Sequence, residues 1–206
     1  GGGQPSDEGT INGMDVLEVV KQGDKILHKV GRSAEKGQTI CELNWDRRFD
    51  HMQQHSGQHL LSAVCRQLFD AETVSFHLGK EIATVDIQIT NLDNRQIKLL
   101  EKEVNKQLIQ NHVIKSYFVT KEQLQHIELV KKPAVHSKIR IVETEGIEYN
   151  ACGGTHVART GGIGLIKILK SESNKGNTRL YFKCGFRALT DYAFTQDTLA
   201  ALALQF

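Results

Sequence analysis

Two short segments hold the side chains best suited to chemistry: His55-Ser56-Gly57-Gln58-His59 and, about a hundred residues later, Cys152-Gly153-Gly154-Thr155-His156. Residues i and i+4 of a helix share a face, so His55 and His59 can present two imidazoles to one point. In the second segment two glycines between a thiol and an imidazole permit a tight turn that brings both donors to one side. Together the segments supply His, His, Cys and His. That set suits a borderline-soft ion with tetrahedral nitrogen and sulfur coordination, which means Zn2+ before magnesium or calcium. With nine histidines in 206 residues, an H-x-x-x-H pair arises by chance often enough that neither segment alone defines a site. The conjunction does, because each half fits its local pattern and lacks what the other provides.

Four protein donors close a tetrahedral shell, the usual structural pattern, whereas catalytic zinc keeps a position open. Either one donor is weak, with His55 the first choice, or the coordination expands when substrate arrives. His51 extends the series His51, His55, His59, but each step of four adds about 40° of drift, so all three cannot point equally well at one ion. His51 is therefore outside the set, either a supporting residue near Asp50 or an exposed one. Gln58 and Thr155 are candidates for orienting water or substrate, and equally for satisfying a nearby backbone group. Cys41, Cys65 and Cys184 read as buried apolar fillers.

A chain of 206 residues buries one good core, or a main domain with a small appendage. Hydrophobic content of 39% and charged content of 24% are those of an ordinary globular protein. No apolar run approaches the roughly 20 residues that span a bilayer, and no signal peptide is visible at the start. Four cysteines spread this widely resemble a reduced-compartment enzyme more than a disulfide scaffold. A cytoplasmic protein with no membrane partner is expected. The net charge of +2 does not announce nucleic-acid binding. Its distribution says more, since Lys167, Lys170, Lys175, Arg179, Lys183 and Arg187 crowd one stretch with little acid beside Glu172. Such a segment is either a solvated face or a phosphate-binding one.

The elements that must position these residues follow from periodicity. Between residues 9 and 44, short β-prone runs (Asp15 to Val20, Ile26 to Val30, Thr39 to Leu43) alternate with the turn signals Gln22-Gly23-Asp24 and Gly31 to Gly37, which reads as a small antiparallel meander or barrel. From Asp46 the pattern turns helical, with Leu60, Leu61, Val64 and Leu68 as its apolar stripe. Thr84 to Ile89 alternates as a half-buried strand, with Thr84, Asp86 and Gln88 on the outer face. A helix is expected over 94–111, a strand over Val113 to Val119, a short helix over Lys121 to Ile127, and a strand from Lys138 to Thr144 leading toward Cys152. Ile163 to Lys170 and Thr178 to Cys184 form a hairpin about Ser173-Asn174-Lys175-Gly176-Asn177, with Arg179, Tyr181 and Lys183 on its exposed face. A further helix begins near Ala188. The fold class is α+β, an antiparallel sheet packed with helices plus a small N-terminal β-barrel-like subdomain. The division is 1–46 for the glycine-rich β subdomain, 47–187 for the zinc-bearing domain and 188–206 for the start of a C-terminal helix. Three opening glycines and an uncapped end at Leu204-Gln205-Phe206 suggest that the natural protein extends beyond both.

His55-Ser56-Gly57-Gln58-His59-Leu60-Leu61 with Cys152-Gly153-Gly154-Thr155-His156 resembles the zinc signature of the alanyl-tRNA synthetase editing domain and its free-standing relatives, the AlaX proteins. Gly1-Gly2-Gly3-Gln4-Pro5 with Asp7, Gly9 and Thr10 resembles the glycine-rich motif of the preceding subdomain, and Gly162-Ile163-Gly164 with Asn177 to Arg187 resembles the closing hairpin. The threonyl-tRNA synthetase editing domain shares the zinc-type signature but lacks the glycine-rich subdomain. The β subdomain points to a medium or long AlaX, the helix near Ala188 to the long kind, and a strand that usually precedes the first motif again implies a trimmed start.

The resemblance implies a trans-editing hydrolase that deacylates mischarged Ser-tRNA(Ala), and Gly-tRNA(Ala) as a second substrate, using Zn2+ held by His55, His59, Cys152 and His156. Zinc would either activate water or position the substrate. Lys167, Lys170, Arg179, Lys183 and Arg187 are the candidates for contact with acceptor-stem phosphates of the partner tRNA. A pocket that admits serine cannot reject alanine by size, so selectivity needs a polar group that the serine hydroxyl satisfies. The alternatives are an editing domain excised from an alanyl-tRNA synthetase, or a tRNA-binding module whose zinc is purely structural.

Overall fold

The computed structural model describes residues 3–23, 25–33, 37–130 and 139–205. Gly1, Gly2, Asp24, the middle of the Gly31 to Gly37 turn region, Lys138 and Phe206 lie outside the described residues. The chain divides into two compact units, one of Pro5–Phe49 and one of Gly1–Gln4 with Asp50–Phe206.

In the smaller unit β1 (Gly9–Ile11), β2 (Met14–Gln22), β3 (Lys25–Val30) and β4 (Cys41–Leu43) form one antiparallel sheet in the order β3-β2-β1-β4. Among the described residues its edge strands β3 and β4 do not pair, so the expected barrel does not close. Alternation and turn residues locate strands, but closure depends on strand tilt and on the register between the edges, which a local pattern does not carry. No described residue of this unit is buried. Cys41, expected as a buried filler, is accordingly exposed on β4, because a unit this small has no interior to receive it.

Helix α1 (Trp45–Phe69) starts where Asn44 Oδ1 accepts the Arg47 backbone N–H. In the larger unit α1 buries Leu60, Leu61, Ala63, Val64 and Cys65. The remaining elements follow in the order β5 (Thr73–Leu78), β6 (Ala83–Ile87), α2 (Asn94–Ile109), β7 (Ile114–Val119), α3 (Lys121–Leu124), β8 (Ile139–Thr144) and β9 (Glu148–Ala151). A single 3₁₀ turn (Thr160–Ile163), β10 (Ile166–Asn174), β11 (Asn177–Cys184) and α4 (Gly185–Ala203) complete the unit. They build two antiparallel sheets, one of four strands ordered β10-β11-β6-β5 and one of three ordered β7-β8-β9. The molecule is thus a mixed α and β protein of antiparallel sheets and helices. The four-stranded sheet turns Val85, Ile87, Leu180 and Phe182 fully inward. The three-stranded sheet gathers a smaller cluster of Val119, Ile139 and Ile141, with Tyr117, Leu129 and Tyr149 packed against it.

Sequence patterns locate these elements unevenly. Helix α2 opens on a capping box, Asp93 accepting from Gln96 N–H while the Gln96 side chain takes the Asp93 N–H, and its apolar stripe buries Leu100, Val104 and Leu108. It also closes an open sheet edge. Asn105 brackets Ile166, accepting its N–H and donating to its carbonyl, and Glu101 accepts the Ile168 N–H, so β10 is not left with a bare ladder. Strand β9 was not anticipated because Glu-Tyr-Asn-Ala is too short and polar for a periodic signal. Strand β5 does carry one, the alternation of Val74, Phe76 and Leu78. Asp86, expected on an outward face, is 6% exposed, because Arg179, Ser75 and Asn174 all converge on its carboxylate. Helix α4 begins at Gly185, ahead of Ala188, because α1 supplies its start: Gln54 Oε1 accepts the Cys184 N–H and Gln53 Oε1 the Phe186 N–H.

Candidate metal centre

Four ligating atoms, one each from His55, His59, Cys152 and His156, lie within 4.8 Å of one another. The thiol Sγ stands 3.5 Å from His55 Nε2 and 3.4 Å from His156 Nε2. A tetrahedron with Zn–S near 2.3 Å and Zn–N near 2.0–2.1 Å has a sulfur-to-nitrogen edge of about 3.5 Å. The two sulfur-to-nitrogen separations match that edge, and the cluster can hold a metal ion. The three imidazoles close around the same point, with ring centroids 4.6 to 5.1 Å apart. His55 is buried, while the other three donor residues are of intermediate burial.

Several residues of the two motifs have a structural reason to be there. His55 and His59 are one helical turn apart on α1, as their spacing requires. Between them Gly57 turns toward the hairpin, where an added Cβ would lie 2.3 Å from Cys184 Sγ. Only glycine lets α1 approach that closely. Ser56 Oγ accepts the Val157 backbone N–H and meets His156 Nδ1 at 3.2 Å, tying the helix to the loop that carries the second motif. In that loop an added Cβ on Gly154 would lie 2.4 Å from His55 Nδ1, so the His55 ring packs directly on the backbone. Phe76 stacks on the same ring at 5.5 Å. Arg140 donates to the carbonyls of Cys152 and Gly154, holding the loop from β8.

Charge in the cluster is unevenly shared. Burial pushes the Cys152 thiol up, but hydrogen bonds from His156, His55 and His59 override it and hold the thiol at about 3. The sulfur is then a thiolate, the form that binds metals. Burial likewise opposes charge on His59, yet its contacts with Cys152 and Glu148 raise it to about 9, while burial takes His156 down to about 4.

The supporting residues depart from what their types suggest. Gln58 donates to Ser62 Oγ. Thr155 donates through both its backbone N–H and its hydroxyl to Gln4 Oε1, and Gln4 Nε2 donates back to the carbonyls of Thr155 and His51. Both candidates for orienting water or substrate thus have intramolecular partners. His51 is buried rather than exposed and stands outside the donor cluster. Ser56, Phe76, Arg140 and Glu148 escaped the sequence reading because their roles depend on contacts between distant elements. Cys65 and Cys184 are buried, as expected.

The five cations assigned to tRNA phosphates each end on an acid. Lys167 pairs with Glu101 at 2.8 Å and Lys170 with Glu172 at 3.3 Å, both on exposed ground. Arg179 holds Asp86 with two hydrogen bonds, Arg187 holds Asp50 the same way, and Lys183 pairs with Asp191. Arg187 also donates to the Gly79 carbonyl. These last three side chains are largely covered.

Comparison with known proteins places this geometry in context. Residues 139–181 match the family described as the threonyl and alanyl tRNA synthetase second additional domain. The chain is 40% identical over 195 residues to the alanyl-tRNA editing protein Aarsd1 of Danio rerio, covering 92% of this chain and 47% of that protein. It is 36% identical to the alanyl-tRNA editing protein AlaX-L of Pyrococcus horikoshii, across 92% of this chain and 50% of the relative. The chain thus spans about half the length of these curated relatives. A shorter relative, the alanyl-tRNA editing protein AlaX-M of Methanosarcina acetivorans, is 33% identical over 202 residues, across 88% of this chain and 82% of its own length. Similarity that runs nearly end to end through a relative of comparable size leaves one conclusion: the chain belongs to the family of alanyl-tRNA editing proteins.

Proposed function

We propose that this protein deacylates mischarged tRNA(Ala), hydrolysing the ester that joins serine, and as a second substrate glycine, to the terminal ribose. One observation carries the reading, the convergence of His55, His59, Cys152 and His156 within 4.8 Å in a chain of this family. The ion we assign to that site is Zn2+, from the donor set of one thiolate and three imidazoles. What zinc supplies there is Lewis acidity toward a water or carbonyl oxygen. The ester is already activated, so placement decides the rate. The chain's own part is to hold the donors rigidly and keep them accessible. Gln58 and Thr155 enter as residues that fix the walls of the site, through Ser62 and Gln4. Lys167 and Lys170 are our choice for phosphate contact, because exposed ion pairs are weak and a phosphate can compete for them. Arg179, Lys183 and Arg187 would follow only if their pairs open. With tRNA as substrate the protein works in the cytoplasm. Residues 47–187 would carry the chemistry, with 1–46 and 188–206 as flanking parts.

A second reading rests on the fact that four protein donors already complete a tetrahedron, the pattern of a structural site. Zinc would then only staple the fold while the hairpin binds tRNA. Excision from a synthetase would change the covalent setting but not the chemistry. The deciding experiment is deacylation of Ser-, Gly- and Ala-charged tRNA(Ala), with and without a chelator. Release of serine that stops on chelation while the fold persists supports the hydrolase. Unfolding on chelation, with no release by the intact protein, supports the staple.

A further inference from the structure

The strand that leads to the Cys152 sulfur also carries a carboxylate that the hydrolytic reading leaves unused. Glu148 is 6% exposed, and a carboxylate that deep needs partners on both oxygens. Oε1 faces His59 Nδ1 at 3.4 Å and accepts from the Asn150 side-chain amide, and Oε2 accepts from Arg66 Nη2 at 2.7 Å. His59 and Arg66 stand two turns apart on α1, so one face of one helix supplies both contacts. Strand β9 is anchored to β8, Glu148 lying opposite Thr144, and runs directly into Cys152. Thiolate and carboxylate are thereby delivered by the same piece of backbone.

We propose that Glu148 is a positioning residue for the metal ligand His59: it accepts from Nδ1–H, fixing the ring's rotation and tautomer so that the other nitrogen would present its lone pair to the ion that the four donors share. Arg66 holds the carboxylate in place from its far oxygen. The inference rests on reading the four-donor cluster as a zinc site. A carboxylate behind a ligating imidazole orients the ring and increases its basicity, and loss of such a group commonly weakens metal binding. The other two imidazoles are held differently. His156 Nδ1 meets a neutral hydroxyl, Ser56 Oγ, while His55 Nδ1 is buried with no hydrogen-bond partner among the described residues and its ring is fixed by Phe76 and Gly154. Among the described residues, His59 is the one of the three with an anion behind it.

The test is Glu148→Gln, which keeps the side chain's shape and an acceptor for Arg66 while removing the charge. Zinc affinity by chelator competition should fall about 10- to 100-fold. In the cobalt-substituted protein the d–d bands should shift, while the thiolate-to-cobalt charge-transfer band persists because the sulfur is untouched. Glu148→Asp should recover part of the affinity. Arg66→Met should give a smaller loss in the same direction. Wild-type affinity and unchanged cobalt bands in Glu148→Gln would overturn the proposal, even with a lowered Tm, since Glu148 would then be only a counter-ion for Arg66. If Glu148→Gln does not fold, unaltered affinity in both Glu148→Asp and Arg66→Met overturns it instead. A wild-type chain that takes up neither zinc nor cobalt would sink the zinc reading itself, and this inference with it.

Discussion

At the donor cluster, side chains from α1 and from the loop after β9 turn toward one another, and one carboxylate, Glu148, stands behind His59. On the β10–β11 hairpin and at Arg187 on α4, side chains of one charge gather just as conspicuously, yet the five assigned to phosphates each end on an acid. The acids that neutralise Arg187, Arg179 and Lys167 lie 137, 93 and 66 positions away in the chain. The contrast is one of range. A ligand pair four residues apart owes its geometry to the local backbone, whereas a cation's freedom to meet a phosphate depends on which acids the fold brings to it.

Removing a donor should give the largest effect. Cys152→Ala should abolish stoichiometric zinc, measured by elemental analysis, and cut Ser-tRNA(Ala) deacylation by on the order of 10³-fold, the several kcal/mol expected of Lewis-acid stabilisation. Full activity in this variant would break the cluster's side of the comparison. Gly154→Ala comes next, because its Cβ has no room beside His55; a loss of zinc affinity of roughly tenfold or more is expected on the scale of a displaced ligand support. A wild-type chelator titration would show that the loop adapts freely.

Between α1 and α4, Asp50→Ala should leave Arg187 without its carboxylate and lower unfolding free energy by about 3 kcal/mol, as measured by urea denaturation. Zinc content should stay at wild type, which separates fold-holding pairs from site residues. The Arg179 guanidinium and the Ser75 and Asn174 contacts hold Asp86 at about 2, against burial, which raises it. A carboxylate held below its unfolded value of about 3.9 contributes stability that is fully present above that pH and lost as the pH falls toward 2. Urea midpoints taken between pH 5 and pH 2 should therefore drop over that window in the wild type, and drop less steeply in Arg179→Met, which is less stable at neutral pH. Parallel slopes would show that the pair does not hold the sheet. The smallest effect belongs to Lys167→Ala and Lys170→Ala, each expected to reduce the salt dependence of tRNA affinity by a slope of about 1. An unchanged slope in both would remove the hairpin from the tRNA interface.

Much of the candidate metal centre's geometry was legible in the sequence. Spacing alone set His55 and His59 on one helical face, and the two glycines of the second motif signalled a close approach that the His55 ring on Gly154 realises. The hairpin, α2 and the inward faces of β6 and β11 also followed from periodicity. Strand β9, the early start of α4 and the burial of Asp86 did not, because each rests on partners from distant elements.

By itself, then, the sequence determined which side chains can ligate, which helical and strand faces turn inward, and which family the chain joins. Only the tertiary structure decided that the two half-sites meet at one point, that the small β sheet stays open among the described residues, that Glu148 backs His59 and that the five cations assigned to phosphates are already paired. Local periodicity is written in neighbouring residues, while convergence and charge compensation are settled by contacts whose partners lie far apart in the chain.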